Sequence, residues 1–156
     1  MGVVRFYQVK GETPAAVDAV LPRLLDKAMA RQPVLVVCGN AARMLRLDES
    51  LWNDGDDGFL PHGLAEGPFV EKQPIVLAEA GQVDDALWHV RLPVLLAGAE
   101  ATLEQAMAAE MVLYVFESSE AVVARAREVW KGLKGREGVS AEYWAQGEKG
   151  WEKKAG

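Results

Sequence analysis

The chain has a single cysteine, Cys38, and only two histidines, His62 and His89. One thiol cannot close an internal disulfide, nor can it build a cysteine-rich zinc site. With no secretory leader read at the N-terminus, the expected setting is the reducing cytoplasm. Long apolar runs are missing too: the stretch Leu92-Pro93-Val94-Leu95-Leu96-Ala97 falls far short of the roughly 18 to 20 residues of a membrane span. No G-x-G-x-x-G follows the first strand and no G-x-x-x-x-G-K-[ST] occurs anywhere, so both glycine-rich phosphate cradles are absent from the sequence. There is no internal repeat.

What is present, in 156 residues, is a 50% apolar and 26% charged composition, which describes one compact globular domain. A chain of this length buries about two-thirds of its unfolded surface and needs no staples. The net charge of -6 hides a split. Residues 1–120 carry 9 Lys/Arg against 18 Asp/Glu, whereas residues 121–156 carry 8 against 5, giving -9 followed by +3. The acidic body argues against a surface that grips a phosphate backbone, because such binding needs a broad basic footprint. A small basic patch near the C-terminus is left for an acidic partner.

Strand and helix patterns alternate along the chain. The β-branched and aromatic segment 3–9 reads as a first strand closed by Gly11. Thr13-Pro14 opens an amphipathic helix with apolar residues at Val17, Val20, Leu21, Leu24, Leu25 and Ala28, bent or interrupted near Pro22. The run 34–38 reads as a strand buried on both faces. A helix is expected over 41–52, a turn or loop over 53–58, and short strands over 74–78, 86–90 and 93–96. Residues 100–110 read as a helix, 111–116 as a buried strand, and 118–134 as a capped final helix. The expected fold is a three-layer α/β domain with a mostly parallel sheet and helices on both faces, spanning residues 1–146, with 147–156 as a frayed or extended tail.

Few residues assemble into reactive chemistry. A Cys38/His62 dyad would be the minimal thiol nucleophile, but Cys38 ends an apolar strand, where a free thiol is ordinarily an inert small hydrophobe. Asp54, Asp56, Asp57 and Gly58 resemble the start of a calcium loop, yet Ala65 stands where the bidentate Glu belongs. His62 and His89 cannot make a metal site by themselves, and His62, following Pro61, is expected in an exposed loop with a local hydrogen bond. No metal, cofactor or catalytic residue is assigned.

Two stretches stand out. In the first, Trp52, Phe59, Pro61 and Leu64 surround a polar, glycine-rich loop, and either seat it on the core or form the anchors of a protein-binding patch. In the second, Arg127, Lys131 and Lys134 recur along one face of the last helix beside Trp130. Cations there complement the helix dipole, so a solvated basic face explains part of the pattern. The same groups also suit an acidic peptide that ends in a free carboxylate and an apolar side chain.

The segments Arg46-Leu47-Asp48-Glu49-Ser50-Leu51-Trp52 and Phe59-Leu60-Pro61-His62-Gly63-Leu64, together with Tyr143-Trp144 and Trp151, resemble the chi subunit of bacterial DNA polymerase III holoenzyme. The resemblance covers nearly the whole chain. It implies a Rossmann-like α/β fold that binds no nucleotide, in a non-catalytic accessory subunit. Members of that family link the clamp loader, through the psi subunit, to the C-terminal tail of single-stranded-DNA-binding protein. Trp52, Phe59 and Pro61 match the family's psi-binding positions, and Leu64 is added to them from its place in this sequence. Arg127, Trp130 and Lys131 match the tail-binding positions, with Val115 as a matching wall on the preceding strand; Lys134 joins them from the helix stripe.

The chain departs from the pattern at Val123, where some relatives carry Lys, and Arg125 or Lys134 is the candidate for the missing charge. Trp130 replaces a more usual Tyr. The implied partners are psi or an equivalent clamp-loader component and the tail of single-stranded-DNA-binding protein, with DNA met only indirectly. The expected assembly is a monomer or a 1:1 heterodimer with psi, away from membranes. Two competing readings are a nucleotide-dependent enzyme on the same fold and direct binding of single-stranded DNA.

Overall fold

The computed structural model describes residues 2–53, 61–67 and 70–156. Strand β1 (Gly2–Gln8) leads into α1 (Pro14–Met29), β2 (Val34–Cys38) and α2 (Ala41–Asn53). Then come β3 (His62–Leu64), a 3-10 turn at Val70–Lys72, β4 (Ile75–Glu79), α3 (Asp85–Val90) and β5 (Leu92–Leu96). A second 3-10 turn at Glu100–Thr102 runs into α4 (Leu103–Ala106), followed by β6 (Met111–Phe116), α5 (Glu120–Leu133), β7 (Val139–Gly147) and β8 (Gly150–Ala155). The calcium-like residues Asp54, Asp56, Asp57 and Gly58 lie outside the described residues, as does Phe59.

The strands form one sheet in the order β3-β4-β2-β5-β6-β1-β7-β8. All neighbours are parallel except β7 and β8, which pair antiparallel. Parallel neighbours need crossovers, and the helices that supply them cover both faces. Alternation along each strand sorts the core into two layers. Val34, Val36 and Cys38 of β2 face α1 and α2, against Leu21, Leu25, Leu47 and Leu51. Leu35 and Val37 face the other way, into the layer built with α3, α4 and α5 around Trp88, Ala106, Ala126 and Leu133. The three-layer α/β architecture expected from the alternating pattern is the one observed, and it is Rossmann-like, as the resemblance implied.

Four local expectations change. Residues 86–90 are not a strand but the body of α3, because Asp84 caps the helix by accepting from the Ala86 N–H at 3.1 Å. The helix expected over 100–110 is broken into a 3-10 turn and one α-turn, where the Glu100 carboxylate accepts from the Gly98 N–H. α1 runs unbroken through Pro22. Residues 147–156, expected as a frayed or extended tail, turn back at Gly150, whose φ of 120° suits glycine, and β8 pairs along β7.

Candidate functional site

At one edge of the sheet, α2 ends against β3. The helix buries Leu47 and Leu51 and leaves Trp52 53% exposed. The Trp52 indole lies 4.8 Å from the His62 ring, centroid to centroid, with the planes tilted by 52°. His62 is not in an exposed loop: it sits on β3 with its side chain fully buried, and its Nε2 is 3.0 Å from Asp48 Oδ1. Pro61 is half-buried and Leu64 packs against the α1/α2 layer, so the structure gathers Trp52, Pro61 and Leu64 around this edge. Phe59 lies outside the described residues.

Toward the other edge, α5 crosses the face that carries Phe6, Tyr114 and Phe116. Trp130 is half-buried, edge-on to Phe6 at 5.3 Å and to Tyr143 of β7 at 5.7 Å. Phe6 and Tyr143 stack at 5.8 Å with planes 17° apart. The Tyr143 hydroxyl donates to Gln8 Oε1 at 2.5 Å. Burial raises the Tyr143 phenol pKa, and the Arg127 charge works the other way. Lys134 Nζ stands 5.2 Å from the Trp130 ring centroid, within cation–π range. Lys131 is exposed and 3.6 Å from Glu128. Helical spacing puts Arg127, Trp130 and Lys131 on one face of α5, and Lys134, its C-cap, stands beside Trp130.

Val115 does not join them. It is fully buried, and strand alternation points it into the α1/α2 layer, while Tyr114 and Phe116 face α5. The wall beside Trp130 is Tyr143, which belongs to a strand that weak hydrophobic contrast concealed in the sequence. Arg125 lies roughly 200° around the helix from Arg127, with Nη1 3.7 Å from Glu100. Glu100 also accepts from the Tyr114 hydroxyl at 2.7 Å. Of the two candidate replacements for the missing charge, Lys134 is the one beside Trp130.

The crevice where an open α/β sheet would hold a nucleotide lies at the carboxyl ends of β2 and β5. Here it measures about 190 Å³, lined by Pro14, Gly39, Arg43, Gly98 and Glu117 among others. A ligand pocket of ordinary size has about 300–1,000 Å³. Gly39 and Gly98 close it from the two strand ends: a Cβ on Gly39 would meet Gly98 backbone at 3.0 Å. Arg43 is committed to the buried Asp18 at 2.7 Å. Burial, its largest cause, pushes the Cys38 thiol pKa up to about 12, so it is held as the thiol. His62, engaged with Asp48, sits on β3, with β4 between it and the strand of Cys38.

The comparison with known families decides the relationship. The family model described as DNA polymerase III chi subunit, HolC, matches residues 1–141. The chain belongs to the DNA polymerase III chi-subunit family. The match runs from β1 into β7, so it takes in both the α2/β3 edge and α5. Membership gives the chain an accessory place in the replicative polymerase. No curated protein matches the chain at a significant level. Among the described residues, no helix is long and apolar enough to cross a membrane, and no group of three or more His, Cys, Asp or Glu could hold a metal ion.

Proposed function

We propose that this chi-family chain is a non-catalytic adaptor that captures the acidic C-terminal tail of single-stranded-DNA-binding protein on α5 and docks the clamp loader, through psi or an equivalent subunit, on the α2/β3 edge. The observation that carries the reading is the exposure of Arg127, Lys131 and Lys134 around a Trp130 ring braced by Phe6 and Tyr143. Arg127 offers a charge-assisted fork for a terminal carboxylate, and the indole offers apolar surface for the last side chain. At the opposite edge, Trp52 is an exposed aromatic anchor of the kind that centres protein interfaces. Trp52 is set against β3, and β3 and β7 are six positions apart in the sheet, about 29 Å at the usual strand spacing. Two proteins can therefore be held at once, in a 1:1 complex with the clamp-loader partner.

The negative body keeps the chain itself off DNA, and contact with the strand runs through the bound tail. The small crevice and the buried Cys38 thiol both support a role without chemistry of its own. The test is titration of a labelled tail peptide of single-stranded-DNA-binding protein against wild type and Arg127→Ala. Losing a hydrogen bond to a charged group costs about 1.5–3 kcal/mol, so the affinity should fall on the order of tenfold to a hundredfold. Amidating the peptide's terminal carboxylate should erase the difference between the two proteins. Equal affinity for the free-acid peptide would remove α5 from the proposal.

A further inference from the structure

Trp52 and Asp48 are one turn apart on α2, and both reach the same partner on β3. Asp48 Oδ1 is 3.0 Å from His62 Nε2, and the imidazole also meets the Trp52 indole at 4.8 Å. The His62 side chain has no exposed surface, whereas Asp48 is 26% exposed and Trp52 more than half exposed. The arrangement runs from a surface carboxylate, through a buried ring, to a surface indole. A carboxylate only accepts, so His62 donates through Nε2, and this hydrogen bond constrains the plane of its ring. The Trp52 indole meets that ring at a tilt of 52°.

We infer that Asp48 and His62 are positioning residues that set the orientation of Trp52 before any partner arrives. The inference rests on the reading of Trp52 as a docking anchor. A large side chain left half in solvent has several rotamers, and a partner that requires one of them must otherwise freeze it on binding. The Asp48–His62 hydrogen bond removes that freedom in the free protein. Leu47 and Leu51, buried one position before Asp48 and Trp52, hold this turn of α2 in place, so losing the Asp48 contact would affect the ring contact before the helix.

The isolated protein, labelled with 5-fluorotryptophan, tests this without a partner. Its five tryptophans are Trp52, Trp88, Trp130, Trp144 and Trp151, and loss of one line in Trp52→Phe assigns the resonance of interest. In Asp48→Ala the Trp52 line should broaden and move toward the position of a solvent-exposed indole, with the buried Trp88 line unchanged. Asp48→Asn, which keeps an acceptor for Nε2, should return the line toward its wild-type position. The nitrogen shifts of His62 should show the Nε2–H tautomer in wild type and in Asp48→Asn, with mixed tautomers in Asp48→Ala. An unchanged Trp52 line in Asp48→Ala overturns the inference, as does an equal movement of the Trp88 line, which would mean general loosening. The docking reading is tested separately, by capture of purified clamp-loader assembly with Trp52→Ala. Undiminished capture would end that reading while the spectra decide the positioning.

Discussion

Trp130 of α5 and Tyr143 of β7 meet edge to face, with centroids 5.7 Å apart and planes at 79°. The contact places a β7 side chain, rather than one from β6, beside the exposed basic groups of α5. Aromatic pairs of this kind contribute about 0.5–1.5 kcal/mol beyond their area. Tyr143→Ala should therefore weaken tail-peptide binding several-fold, while Tyr143→Phe keeps the ring and the affinity. Val115→Ala should lower the denaturation midpoint and leave peptide affinity unchanged, since Val115 is buried in the other layer. Fluorescence anisotropy and urea unfolding on the three variants check this.

Lys134 and Arg125 should behave differently. Lys134→Ala removes the cation over Trp130 and should reduce tail affinity, most visibly at low salt. Arg125→Ala breaks a contact to Glu100 at 3.7 Å on the other side of α5 and should leave affinity near wild type. A salt series of peptide titrations separates the two.

The strand ends at Gly39 and Gly98 predict both stability and ligand response. Gly98 has φ of 102°, and a Cβ there would stand 3.2 Å from Gly39 Cα. Gly98→Ala should cost about 1–3 kcal/mol by forcing a side chain into that backbone region, read by urea unfolding. Because the neighbouring crevice is only about 190 Å³, the melting temperature should not move across a panel of nucleotides at millimolar concentration. A nucleotide-induced rise would revive the enzyme reading.

Cys38 supplies a prediction in alkali. The folded pKa, raised by burial from 9.0 to about 12, means that the folded protein keeps a proton the unfolded chain gives up in that window. Stability should fall as pH rises from 9.0 toward about 12, through preferential ionisation of the unfolded thiol. Cys38→Ser should flatten that part of the profile. At neutral pH the native thiol should resist alkylation until the protein is unfolded.

Glu104 gives the opposite slope in acid. Arg136 Nη1 and Nη2 approach its two oxygens at 2.7 and 2.9 Å, and this hydrogen bonding holds the carboxyl below the usual range. Its contribution is present above the unfolded carboxylate pKa and is lost as pH falls through the lower folded value. Both groups are solvated, so the effect on stability is small. A carbon NMR titration should show the Glu104 midpoint rising in Arg136→Ala.

The alternating code of strand and helix was legible in the sequence because it depends on period alone. Apolar runs such as 34–38 demand cover on both faces, and stripes such as Val17, Leu21 and Leu25 supply it. The short run 86–90 was not legible, since a segment of five or six residues fits either period and the Asp84 cap decided it. β7 and β8 were hidden by residues half-exposed on a sheet edge, where alternation is shallow. At the candidate sites, spacing along the last helix is enough to bring Arg127, Trp130, Lys131 and Lys134 to one face.

By itself, the sequence determined the class of fold, the buried and unreactive setting of Cys38, and the basic stripe on the last helix, all consequences of local period and composition. Tertiary structure alone decided that Val115 faces away from that stripe and that Tyr143 takes the place beside Trp130. Which strand neighbours which, and therefore which face meets which helix, depends on pairings between residues far apart in the chain. The same reason brought His62 out of its expected loop and under Trp52: β3 pairs with β4, and that register turns the imidazole inward to Asp48.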